Sequence, residues 1–250
     1  MNATSASPAE GTAPRRILVW DAPVRVFHWL MVACFAGAWL TADSESFRLL
    51  HVTLGYTMAG LVAFRLVWGV VGTRHARFAS FVRGPAAVLA YLKSMLVGRP
   101  EHHVGHNPAG ALAIVALLGL TAAVAATGWA QFEGLGGEWL EDAHEIAANL
   151  MLFVVGIHLA GVIVGSLAHR ENLVAAMVTG SKHGAGGDGI ARAWRALATV
   201  MLVAVLGFWW WQWQSAPAGG LMDGAAATEQ RDGHGRGRGG RSGRGHDDDD

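Results

Sequence analysis

HEIAANLMLFVVGIHLAGVIVGSL, residues 144–167, decides the fold. From Ile146 to Leu167 no Asp, Glu, Lys or Arg appears, and His158 is the one ionisable interruption. A helix needs roughly 20 apolar residues to cross the hydrocarbon of a bilayer, so this segment is long enough to span one. His144 stands at its mouth and His158 lies 14 residues further on. At about 1.5 Å and 100° per residue, that spacing separates the two imidazoles by roughly 21 Å in depth and only about 40° in direction. One helix face thus presents two histidines at two depths. Ionisable groups inside a membrane span are costly and mark functional sites by default.

Four more apolar stretches of similar length flank this one: Val24–Leu40, Leu49–Val71, Pro108–Ala130 and Ala196–Trp213. A soluble chain of 250 residues has nothing left to cover five such helices. The composition agrees, with 52% hydrophobic and only 15% charged residues, against about a quarter charged in soluble domains. Nineteen basic residues balance nineteen acidic ones, leaving no excess to grip nucleic acid. A single cysteine, Cys34, excludes internal disulfides, CxxC metal or redox motifs and the CxxCH attachment of a c-type haem. The first 16 residues are polar and carry no apolar run of signal-peptide type, so no cleaved leader is expected.

The loops set an expected orientation. Segments on the N-terminal side of the membrane hold 13 basic against 5 acidic residues, and the alternate loops hold Arg48 against 7 acids. By the positive-inside rule the N-terminus, the 72–107 loop and the link between spans four and five face the cytoplasm of a bacterial inner membrane. The acidic loops and the C-terminal tail then face the periplasm. Positions 83–97 have helical apolar spacing, which suits an amphipathic helix on the cytoplasmic surface. The Gly/Arg/Asp-rich stretch at the C-terminus reads as a disordered spacer.

Depth pairs the intramembrane histidines. His51 opens span two and His144 opens span four from the same side; His28, early in span one, comes level with His158. Two pairs result, one near each face, and a porphyrin iron needs such a pair because one coordination site opens on each side of the ring. Gly55 and Gly161, four and three residues beyond ligand candidates, leave room for a flat macrocycle. Arg65, 14 residues after His51, falls at the depth of His28 and His158, where its guanidinium suits haem propionates. Arg25, one turn before His28, either shares that role or snorkels to the headgroups. Asp21, Asp142 and Glu145 are placed near these sites as proton acceptors. Met58 and Met151, midway between the pairs, read as core packing. The remaining loop histidines, His75, His102, His103, His106, His169 and His183, have basic neighbours and read as surface residues.

These residues resemble a known family. Arg25-Val-Phe-His28-Trp29, His51-Val-Thr-Leu-Gly55, Phe64-Arg65-Leu-Val-Trp68, Gly105-His-Asn-Pro108, Asp142-Ala-His144-Glu145 and His158-Leu-Ala-Gly161 are similar to the bacterial cytochrome b561 family. So are His169-Arg-Glu-Asn-Leu173 and Met177-Val-Thr-Gly180. That family includes the b-type subunits of membrane nickel–iron hydrogenases. The resemblance implies an all-α membrane protein: a four-helix haem-binding bundle over residues 17–183 with two b haems on His28, His51, His144 and His158. It further implies electron transfer between membrane quinone and a redox partner, a periplasmic cytochrome c or a hydrogenase-like subunit, and leaves room for a homo-oligomer. Outside the resemblance stand the polar segment 1–16, a cytoplasmic linker 184–195, a fifth transmembrane helix 196–213 and the tail 214–250. A haem-bearing structural anchor and a proton or metal transporter are the rival readings. The transporter would call for paired acids or helix-breaking Gly/Pro at mid-membrane, and spans three and four carry no acid or proline past their entry.

Overall fold

The computed structural model describes residues 15–98, 101 and 103–216. The expected disordered tail lies outside them except for its first three residues, as does the N-terminal segment up to Pro14. Among the described residues five helices are long and apolar enough to cross a membrane: α1 (Ala22–Leu40), α2 (Arg48–Val71), α5 (Pro108–Phe132), α6 (Glu138–His169) and α8 (Arg195–Ser215). Three short helices, α3 (Phe78–Phe81), α4 (Pro85–Leu96) and α7 (Leu173–Thr179), lie at one end. We call that end the cap and the opposite one, with the α1–α2 and α5–α6 turns, the open end.

Local chemistry fixes where the helices begin. Asp21 caps α1 by accepting from the Val24 amide at 2.8 Å, with Pro23 in the first turn. Asn107 caps α5 by accepting from Gly110 N at 2.7 Å, just before Pro108. Both are the side-chain-plus-proline arrangement that satisfies otherwise unpaired amides. Outward faces are apolar, as in Val70, Leu159, Leu167 and Val203. In water such a surface would be unstable; in lipid it is the expected exterior.

α1 packs on α2, α2 on α5, and α5 on α6, while α8 lies against α1 and touches α2. Among the described residues neither α1 nor α2 packs closely along α6. The slot between them is closed at mid-depth, where Cys34, Leu54, Met58 and Met151 form one buried cluster with Met31, Phe35, Leu117 and Trp209 around it. Met58 and Met151 are therefore core, as their position suggested, and they divide the slot into two compartments.

The cap holds what the sequence did not announce. Arg15–Leu18 (β1) pairs antiparallel with Ser181–Gly184 (β2), joining the start of the bundle to its end. Gly180, with φ of 83°, turns the chain into β2, and its carbonyl accepts from the amides of Val19 and Trp20. Ile17, Val19, Trp20 and Ala176 form a small core beneath the ladder. Lys182 is buried beside it and reaches Glu171 at 3.0 Å. The region between β2 and α8 is docked: Asp188 O lies 2.7 Å from His75 Nε2, and the Asp188 carboxylate lies 3.7 Å from Arg74.

Candidate metal centres

His51 leaves α2 one turn from its start and His144 leaves α6 in its second turn, so both rings enter the open-end compartment. Their centroids are 6.3 Å apart with an interplanar angle of 66°. A metal–imidazole bond is roughly 2 Å and the ring nitrogen stands roughly 1 Å from the ring centre, so two imidazoles on opposite sides of one metal stand about 6 Å apart. The separation fits an iron between them.

Each ring is already oriented. His51 Nδ1 lies 2.9 Å from Ala38 O, one of the last carbonyls of α1, which otherwise accepts only from the cap residue Thr41. His144 Nδ1 lies 3.1 Å from Val124 O and 3.1 Å from Thr127 Oγ1. A carbonyl accepts, so in both rings Nδ1 carries the hydrogen and Nε2 keeps the lone pair that binds metal. Gly128 makes the close approach of α5 possible, because a Cβ there would stand 2.9 Å from His144 Cε1.

At the cap end His28 on α1 and His158 on α6 lie within electrostatic reach of each other. His28 Nδ1 is buried without a hydrogen-bond partner. Arg65 is 2% exposed, its guanidinium carbon 4.7 Å over the Phe78 ring, and its Nη1 also lacks a partner. Asp21 is within electrostatic reach of this buried guanidinium, and an anionic group entering the compartment would satisfy the Nη1 that Asp21 does not bond. Arg25 donates from Nη1 to Thr179 O at 3.3 Å while its Nε is a further buried orphan. A Cβ built at Gly55 or Gly161 would meet nothing within 4 Å, so both positions open onto free space.

Two sequence readings need correction here. His75 and His106 are not surface residues. His75 is 9% exposed and is held by Asp188 O. The His106 ring is wedged between Trp20 and Phe81, 4.5 Å from the centroid of each. Burial, with Arg65, His75, Lys182 and His158 nearby, pushes the His106 imidazole down to about 3, so it is neutral. Their neighbours in sequence are polar, but the residues that bury them come from distant segments. His102 lies outside the described residues. Asp21 is likewise committed: one oxygen caps α1 and the other accepts from Trp68 Nε1 at 3.0 Å and Thr73 Oγ1 at 2.6 Å. Asp142 and Glu145 remain exposed beside His144.

Comparison with known proteins agrees with this geometry. Residues 19–180 match the family described as prokaryotic cytochrome b561. A probable Ni/Fe-hydrogenase B-type cytochrome subunit of Azotobacter vinelandii is 26% identical over 211 residues, covering 66% of this chain and 87% of the relative. Its counterpart in Cupriavidus necator is 24% identical over 219 residues, 69% of this chain and 89% of that one. The Ni/Fe-hydrogenase 1 counterpart of Escherichia coli K12 is 26% identical over 141 residues, 46% and 59%. No solved structure matches. α8 falls outside the matched segment, while all four intramembrane histidines, Arg25 and Arg65 fall inside it. With five apolar helices around two histidine pairs, the chain belongs to the prokaryotic cytochrome b561 family, multi-pass membrane proteins whose b-type haem serves electron transfer.

Proposed function

We propose that the chain is a di-haem b-type cytochrome that carries electrons across the bacterial inner membrane between the quinone pool and a redox partner. His51 and His144 hold one haem and His28 and His158 the other, with Arg65 and Arg25 at the propionates of the second. The observation that carries the reading is the 6.3 Å separation of the His51 and His144 rings, each with Nδ1 already engaged and Nε2 left to coordinate. When bound, haem supplies a one-electron couple that no side chain here offers. The four histidines would hold the two irons, and the Met58–Met151 layer lies between the two pairs.

The cap end, rich in arginine, is assigned to the cytoplasm, and the acidic open end to the periplasm. Asp142 and Glu145, exposed beside His144, are positioned to take up protons released when a quinol is oxidised at that face. The relatives' names point to a hydrogenase as one partner class; a soluble cytochrome c with a basic surface is the other, and its association would slow at high salt.

Reduced-minus-oxidised spectra of the purified chain, with a pyridine haemochrome count, test this directly. Two b-type haems per chain, reducible by a quinol analogue, are expected. One haem per chain would overturn the two-site assignment, and haem that quinol cannot reduce would leave a structural anchor. A protein without any b-type band would defeat the reading altogether.

A further inference from the structure

The cap interior holds buried nitrogens that no acceptor among the described residues satisfies. Arg25 Nε, His28 Nδ1, Arg65 Nη1 and His106 Nδ1 are all buried there without partners. Buried polar atoms are nearly always satisfied, so orphans gathered from α1, α2 and the segment before α5 mark a shared missing acceptor. The carboxylates close by have their hydrogen bonds and ion pairs elsewhere, although Asp21 is within electrostatic reach of Arg65. Asp21 serves Val24, Trp68 and Thr73, Glu171 serves Lys182, Asp188 faces Arg74, and Glu101 stands 3.7 Å from His103. Around His106 the other charged or chargeable groups, Arg65, His75, Lys182 and His158, carry no negative charge.

His106 and Arg65 flank the same ring. The Arg65 guanidinium carbon is 6.0 Å from the Phe81 centroid and the His106 ring is 4.5 Å from it, with Trp20 closing the other side of His106. This wedge prevents the imidazole from swinging out towards water. A neutral imidazole carries one N–H, and Nδ1 is where this one lacks a partner.

Resting on the assignment of a haem to His28 and His158, we propose that His106 is a further propionate donor beside the arginines, sharing with Arg65 the carboxylate edge of that haem. His106 thereby turns the propionate edge towards the cap and helps to set the potential of this haem, leaving the His51/His144 site untouched.

The test is a cycle of residue 106 against propionate. Midpoint potentials are read by spectroelectrochemical titration of the full-length purified chain, once with natural haem and once with haem exchanged for its dimethyl ester. With natural haem, His106→Phe lowers the cap haem by about tenfold in its reduction equilibrium, which is about 59 mV for one electron. The open-end haem does not move, and His106→Gln, which keeps an N–H donor, retains most of the wild-type value. With the ester the wild type and His106→Phe coincide. An equal difference with both haems, or none with natural haem, overturns the proposal; the orphan nitrogen is then served by water from the cavity of about 440 Å³ that His106 also lines with His75 and Phe81. If His106→Phe does not load haem, His106→Asn, polar but shorter, takes its place in the cycle. A wild type without the two haem signals would count against the ligand assignment and is distinct from failure at residue 106.

Discussion

The two histidine pairs are built by opposite strategies. At the open end both rings are hydrogen-bonded at Nδ1 to carbonyls of neighbouring helices, Ala38 and Val124, and stand at the spacing a shared metal needs. At the cap end His28 Nδ1 and Arg65 Nη1 are buried and unpaired. The first site is organised by the helices before any cofactor arrives. The second, on the reading proposed above, waits for a group that brings acceptors to these orphans. The difference follows from what surrounds each pair: carbonyls of neighbouring helices at one end, and at the other the aromatic rings of the cap, which offer the orphans no acceptor.

Removing a ligand from either pair should show the largest contrast. His144→Ala is expected to abolish one of two haem signals and leave the His28/His158 haem, and His158→Ala to do the reverse, checked by haem count and by which of two potentials survives. If both variants lose the same haem, the pairing by depth is wrong. Arg65→Gln comes next. It removes the buried cation but keeps a donor, so the cap haem should be retained roughly 10–100-fold less tightly, the range seen when outer partners of a metal ligand are lost. The open-end haem should be unaffected, as measured by haem loss during competition with an apo-globin acceptor.

How much of this was legible in the sequence differs between the same two regions. The spans could be read because hydropathy sets helix length, and the meeting of His51 with His144 because a fixed rise per residue sets depth. The cap could not be read that way. β1 and β2 are four residues each, too short for an alternation signal, and pair residues more than 160 positions apart in the chain. His106 looked solvent-exposed because its own neighbours are polar, yet Trp20 and Phe81 bury it. One local signal existed. His106 directly precedes the cap residue Asn107 of α5, the position where a side chain often packs back to fix the entry of a helix.

A subtler break concerns the close approach that orients the open-end pair. Gly128→Ala would place a Cβ 2.9 Å from His144 Cε1. Either the ring tilts away from Val124 O or α5 and α6 separate, and overpacking of this kind typically costs about 1–3 kcal/mol. The expected readout is an altered low-spin electron paramagnetic resonance signal for the open-end haem alone. An unchanged signal would mean that the two helices yield without moving the ligand, and that the site is less rigid than its hydrogen bonds imply.

The smallest expected effect tests whether α8, outside the family match, belongs to the same construction. Thr53 and Thr57 on α2 donate to carbonyls one turn back in their own helix, Leu49 O and Thr53 O. Their hydroxyl oxygens can still accept, and α8 supplies the donors: Trp209 Nε1 to Thr57 Oγ1 at 2.9 Å and Gln212 Nε2 to Thr53 Oγ1 at 3.4 Å. Thr53 is two residues from His51, so α8 is keyed to the ligand-bearing helix by polar contacts as well as by packing of Trp209 against the Met58–Met151 layer. Polar links between membrane helices average only about 0.6 kcal/mol. Trp209→Phe, which keeps most of the packing and loses the donor, should therefore lower the midpoint of thermal haem release by a few degrees at most. Thr57→Val should do the same, and the double variant should add nothing to either, because both remove one bond. Additive losses would show that α8 leans on α2 through shape alone and that the hydrogen bond contributes nothing to its register.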